Sequence, residues 1–139
     1  MKNITIEIGG KDYTFEMNRT TYKRLLADEE YSKMQNELSK RLKGKNVKNE
    51  EEINKVQNDM ISEDISKMLL QNLIMEEKIF FFSLLTYHSD MTMEKSSTLL
   101  DMAIEEYGSN EVSNLCNTIM ENFTQREEKP KKKMVMRIV

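Results

Sequence analysis

The stretch Ile79-Phe80-Phe81-Phe82-Ser83-Leu84-Leu85-Thr86-Tyr87 decides how this chain folds, because seven of its nine side chains are apolar or aromatic and none is charged. At about 3.6 residues per turn such a run points apolar groups in every direction around a helix, so it must be covered on nearly all sides. It is too short to cross a bilayer, which takes about 20 apolar residues. Its cover has to come from the rest of the chain or from a partner. Nothing in the run itself carries chemistry.

Upstream, the helical period recurs at Ile53, Val56, Met60 and Ile61, and again at Ile65, Met68, Leu69 and Leu73, with Ser62 or Asp64 available as a start. The pattern predicts a spine helix of roughly 25 residues, about 37 Å long, that ends in the phenylalanine run. Downstream, His88-Ser89-Asp90-Met91-Thr92 is a polar break in which Asp90 or Thr92 can cap the next helix. That helix carries Leu99, Leu100, Met102, Ala103, Ile104 and Tyr107, and Gly108 stands at its C-cap. Asn110 is placed to cap a last helix carrying Val112, Leu115, Cys116, Ile119, Met120 and Phe123.

Toward the N-terminus, Ile4, Ile6 and Ile8 and then Tyr13, Phe15 and Met17 alternate with polar residues around Gly9-Gly10-Lys11-Asp12, the pattern of an antiparallel hairpin with one apolar face. Asn18 caps a helix through Tyr22, Leu25 and Leu26, and the period resumes at Tyr31, Met34, Leu38 and Leu42. Asp28-Glu29-Glu30 is either a break between two helices or an exposed turn. The expected fold is mainly α: a small helical domain over residues 1–125 with an N-terminal β-hairpin packed on a long central helix. A charged segment at about 40–52 reads as a mobile loop, and 126–139 as a basic tail with Pro130 stopping the last helix.

Composition agrees with one domain. The chain has 139 residues, 38% of them apolar, with only four glycines, one proline and no tryptophan, which favours long helices over a many-stranded sheet. Cys116 is the one cysteine, so no intramolecular disulfide forms and a reducing compartment is expected. The first ten residues alternate and lack the apolar core of a signal peptide. The net charge of −3 argues against a protein that chiefly coats nucleic acid, although residues 126–139 carry +4 and the remainder −7. Twelve methionines suit adaptable surfaces, but with abundant Asn, Lys, Ile and Glu they also fit a biased composition in which Met fills core gaps.

No catalytic, cofactor or metal site is expected. His88 is the lone histidine and Cys116 has no second soft ligand near it in sequence, so a histidine or thiolate metal cluster is not available. His88 beside Asp90 lacks the third member of a nucleophile, base and orienter set, and a helix-end histidine more often bonds a backbone group. Gly9-Gly10-Lys11 lacks the spacing of a phosphate loop and is followed by a strand. Glu76-Glu77 and Glu105-Glu106 diverge by about 100° on a helix and do not converge on one atom. The basic clusters, with Lys43 and Lys45 in one and Lys131, Lys132 and Lys133 in the other, contain no aromatic residues to stack on bases.

The hairpin Ile-x-Ile-Gly-Gly-Lys-x-Tyr-x-Phe (Ile6 to Phe15), the segment Phe81-Phe82-Ser83-Leu84-Leu85-Thr86-Tyr87-His88-Ser89 and the later Leu99-Leu100-Asp101-x-Ala103-Ile104-Glu105-Glu106-Tyr107-Gly108 resemble the tail assembly chaperones of long-tailed phages and prophages of Gram-positive bacteria. The likeness covers most of the chain outside Lys40 to Glu52 and the tail. It implies a non-enzymatic, mainly helical protein of the bacterial host cytoplasm. Such a protein binds the tape measure protein, assists polymerisation of the tail tube protein around it, and leaves before the virion is complete. Family members often occur with a longer frameshifted product, and Lys131-Lys132-Lys133 is the kind of run an adenine tract encodes.

The residues and the resemblance together single out Met68, Leu69, Met75, Met91, Met93 and Met102 as a partner-binding surface, with a homo-oligomer as a further expectation. One alternative is a small nucleic-acid-binding regulator using residues 40–48 and 129–133. Another is a self-assembling phage structural protein. No membrane contact is expected.

Overall fold

The computed structural model describes residues 3–43, 69–128 and 131–137. Its architecture is mainly helical, with an antiparallel two-stranded hairpin ahead of five helices among the described residues. Strand β1 (Ile4–Ile8) pairs with β2 (Lys11–Phe15) in the register Ile4 to Phe15 and Ile8 to Lys11. The loop between them is two residues long. Gly9 and Gly10 both have positive φ, +60° and +81°, which a tight hairpin loop of right-handed twist requires and which a side chain would oppose.

Helix α1 (Arg19–Ala27) starts on a reciprocal cap: the Thr21 N–H donates to Asn18 Oδ1 and the Asn18 N–H to Thr21 Oγ1, each at 2.9 Å. Asp28 settles the question of the acidic triplet. It ends α1 in an extended conformation, its carboxylate accepts the Tyr31 N–H at 3.0 Å, and α2 (Glu29–Lys43) begins beside it. Residues 40–43 are therefore helical and not loop, since Lys and Arg extend a helix readily when nothing breaks it. The rest of the expected loop lies outside the described residues, as does the helical pattern from Ile53 to Met68.

The spine, α3, is helical over 69–85, and Thr86 and Tyr87 form a turn at its end. Helix α4 (Met93–Tyr107) is capped by Thr92, whose hydroxyl accepts the Lys95 N–H at 3.2 Å, and it ends at Gly108, where φ is +89°. Helix α5 (Ser109–Glu128) starts immediately after that glycine. Asn110 thus lies inside its first turn and does not cap it. The helix also takes in Arg126 to Glu128, which moves the start of the tail; the Arg126 guanidinium lies 5.5 Å from the Phe123 ring centroid.

The core joins all these elements. Ile8, Phe15 and Met17 of the hairpin, Leu25, Tyr31 and Met34 of α1 and α2, Ile79, Phe80, Phe82 and Leu84 of α3, and Leu99, Ala103, Val112, Cys116 and Ile119 of α4 and α5 form one buried cluster. Phe15 and Phe80 are fully buried with ring centroids 4.9 Å apart, and burial of rings of this size dominates the energy of a small core. Most of the run from Ile79 to Leu85 is accordingly internal, covered by the chain itself.

The hairpin is fastened to the end of α3 by backbone geometry. The Tyr87 and His88 N–H groups both turn back to the Leu84 carbonyl, and the Ser83 carbonyl accepts the Glu16 N–H at 3.1 Å instead. Thr86 Oγ1 donates to the Glu16 carbonyl at 2.6 Å. One residue past β2 is thereby held on both sides by the last turn of the spine, satisfying groups that a helix end leaves open.

Candidate partner-binding site

At the other end of the described part of α3, three leucines face outward: Leu69, Leu70 and Leu73 are 58%, 56% and 61% exposed. Residues 69 and 73 are one helical turn apart, and 70 and 73 slightly less, so the three form a single apolar row. Next to this row a groove of about 190 Å3 runs between α2 and α3, with Met34 and Ile74 at its base, Leu70 at its edge and Glu30, Lys33 and Glu37 at its rim. Gln71 also lines it. Its side chain is 7% exposed, and Nε2 makes no hydrogen bond among the described residues. A buried amide donor left unused costs about 1–3 kcal/mol.

The six residues singled out from the sequence do not form one surface. Leu69 is in the exposed row, and Met68 lies outside the described residues. Met75 is half-buried on the opposite side of α3, in a groove of about 230 Å3 shared with Ser113 and Cys116 of α5. Met91 and Met102 line a third cavity of about 720 Å3 with Tyr13, His88 and Leu99, and Met93 is half-buried at the start of α4. Met102 in fact packs on the hairpin: a Cβ placed on Gly9 would stand 2.5 Å from its methyl group. Leu70 and Leu73 complete the exposed row, although the methionine pattern does not point to them. Their signal in the sequence is a second apolar stripe on a helix that already has one.

The side chains with chemical potential are engaged in structure. His88 Nε2 accepts the Thr14 N–H at 3.1 Å and the ring lies 5.5 Å from Tyr13, so the imidazole fixes the hairpin. Cys116 is buried against the Glu76 carbonyl, 3.7 Å away; burial, with the Glu76 charge adding to it, pushes its thiol up to about 12. Burial raises the Tyr31 phenol above its ordinary value as well. Glu76 and Glu77 diverge as their spacing requires: Glu76 accepts from Ser113 of α5 and Glu77 from Ser97 of α4, both at 3.2 Å. Among the described residues no group of three or more His, Cys, Asp or Glu is placed to hold a metal ion.

Of the basic residues, Lys131, Lys132 and Lys133 are exposed in a segment with no helix or strand. The side chain of Lys43 and the whole of Lys45 lie outside the described residues. No helix of the described residues is long and apolar enough to cross a membrane. Compared with known proteins, the chain matches no family model, no curated protein and no solved structure.

Proposed function

We propose that this protein is a non-enzymatic assembly chaperone that covers apolar stripes of a partner helix, and that it serves phage tail assembly by binding the tape measure protein in the host cytoplasm while tail tube subunits polymerise. The observation that carries this reading is the exposed row Leu69, Leu70 and Leu73 beside the α2–α3 groove. An amphipathic helix laid there would bury leucine against leucine, at about 25 cal/mol per Å2 before the costs of association are deducted. The rim charges Glu30, Lys33 and Glu37 suit a partner with polar flanks. Release before the virion is complete fits a contact made by one short row.

The test is co-expression with a phage tape measure protein, followed by capture of the complex. Leu70→Glu combined with Leu73→Glu is expected to abolish co-purification while circular dichroism and thermal midpoint stay at the parent values, because both side chains are already in water. Undiminished capture by that variant would overturn the reading.

A further inference from the structure

β1 is one edge of a two-stranded sheet, and its outward row of backbone groups is open at Thr5. In a hairpin closed by a two-residue loop, successive residue pairs alternate between bonding inward and facing outward. The Thr14 N–H donates outward to His88 and the Glu16 N–H outward to Ser83. Thr14 and its partner Thr5 are therefore an outward-facing pair, and Asn3, Thr5 and Glu7 turn their backbone groups away from β2. On β2 that row is engaged at Thr14 and Glu16 by the end of α3. On β1 Tyr107 donates to the Glu7 carbonyl, but no hydrogen bond among the described residues reaches the backbone N–H or carbonyl of Thr5. Open edges of this kind template the addition of another strand.

Residues 131–137, Lys-Lys-Lys-Met-Val-Met-Arg, have no helix or strand structure in the chain that carries them, and Met134, Val135 and Met136 are 79%, 80% and 81% exposed. We propose that residues 131–137 of a second copy add to the outer edge of β1 as a third strand, so that copies of this chain exchange these segments. The alternation fits. Side chains of an added strand fall on two faces with period two, so Met134 and Met136 extend the apolar row of Ile4 and Ile6 while Lys133, Val135 and Arg137 join Asn3, Thr5 and Glu7. In either strand direction a cation, Lys133 or Arg137, falls toward Glu7. A slip of one residue would put both methionines on the polar face, so odd slips are disfavoured.

Charge favours a second copy as the occupant. Residues 131–137 hold four positive and no negative charges, which leaves −7 on the rest of a chain whose net charge is −3. Each copy thus offers one basic strand and one acidic body with an open edge, and the copies attract in that orientation at low salt.

Sedimentation velocity over a concentration series, with amide hydrogen exchange on the same full-length samples, tests the exchange. The parent chain is expected to associate, to do so less as salt rises, and to gain protection at Thr5 and Val135 with concentration. Thr5→Pro removes an outward N–H without touching the hairpin ladder, and Val135→Pro lies outside the folded core. Each is expected to raise the apparent Kd about tenfold or more. Mixed, the two variants should form a one-to-one heterodimer, since one keeps the strand and the other keeps the edge. Should Thr5→Pro fail to fold, Val135→Pro alone still decides. A parent chain that stays monomeric overturns the proposal, whether its 131–137 amides are unprotected or are protected at every dilution by folding back on their own edge. Association indifferent to Val135→Pro overturns it too.

Discussion

The ammonium of Lys78 sits 3.2 Å from each carboxylate oxygen of Asp28, with only 10% of its side chain exposed. Asp28 is the elbow between α1 and α2, and its carboxylate also holds the Tyr31 N–H. One ion pair therefore locks the spine to the corner of the helical pair, with Glu30 3.6 Å from the same ammonium as a more exposed second partner. Asp28→Ala is expected to cost about 2–4 kcal/mol, because it removes a cap and leaves the buried ammonium only the more exposed carboxylate of Glu30. Lys78→Met should cost clearly less, since the carboxylate keeps its backbone donor and some water while the methionine occupies a similar volume. Urea unfolding of the two variants checks the ordering.

Cys116 makes stability depend on alkaline pH. Its thiol is raised from an ordinary 9.0 to about 12 in the fold, so below pH 9 both states hold the proton and it contributes no slope. From about pH 9 upward the unfolded chain ionises while the native thiol stays protonated, and stability falls with pH until the folded value is reached. The loss accumulates to about 4 kcal/mol at most. Cys116→Ala should remove that component, so the parent-minus-variant difference in unfolding free energy isolates it from lysine and tyrosine titration. In the native state a thiol reagent should react only at the rate of opening.

How far the fold is legible depends on the reach of each signal. The alternation of Ile4, Ile6 and Ile8, the glycine pair and the Asn18 cap are local, and the hairpin and α1 follow from them directly. The extension of α2 through Lys43 is less legible, because a charged stretch without apolar neighbours looks the same as helix surface or loop. Likewise Asn110 has the chemistry of a cap, but Gly108 already breaks the chain and α5 starts at Ser109. The site is harder still. Lys78 finds its partner 50 residues away, and Met102, which by composition suits a binding face, rests on Gly9. Exposure at Leu70 and Leu73 depends on which neighbours α2 and α5 leave beside them, a property of packing that periodicity does not encode.

Gly9 and Gly10 separate backbone strain from contact. Both have positive φ, yet only a Cβ at Gly9 meets another atom, the mobile end of Met102, while one at Gly10 stands in open space. Gly10→Ala should therefore cost about 1–2 kcal/mol from conformation alone. Gly9→Ala should cost that plus a smaller contact cost, and only the second part should disappear in a Met102→Ala background. A double-mutant cycle by thermal or urea unfolding measures the coupling. No coupling between Gly9 and Met102 would mean that the methionine does not rest on the turn.

Thr86 offers the sharpest test of how the hairpin is held. Its hydroxyl donates to the Glu16 carbonyl at 2.6 Å, next to the Ser83 carbonyl that receives the Glu16 N–H. Thr86→Val keeps shape and branching but leaves a part-buried carbonyl without its donor, at an expected cost of about 1–3 kcal/mol. Thr86→Ser keeps the donor and should recover most of that. If the clamp fastens the hairpin to the spine, the valine variant should speed amide exchange at Glu16 and Thr14, whose N–H groups bond Ser83 and His88. Exchange in α5, which the clamp does not touch, should change only by the global loss of stability. Uniform acceleration across both regions would show instead that the hairpin and helices open together, with no local release at Glu16.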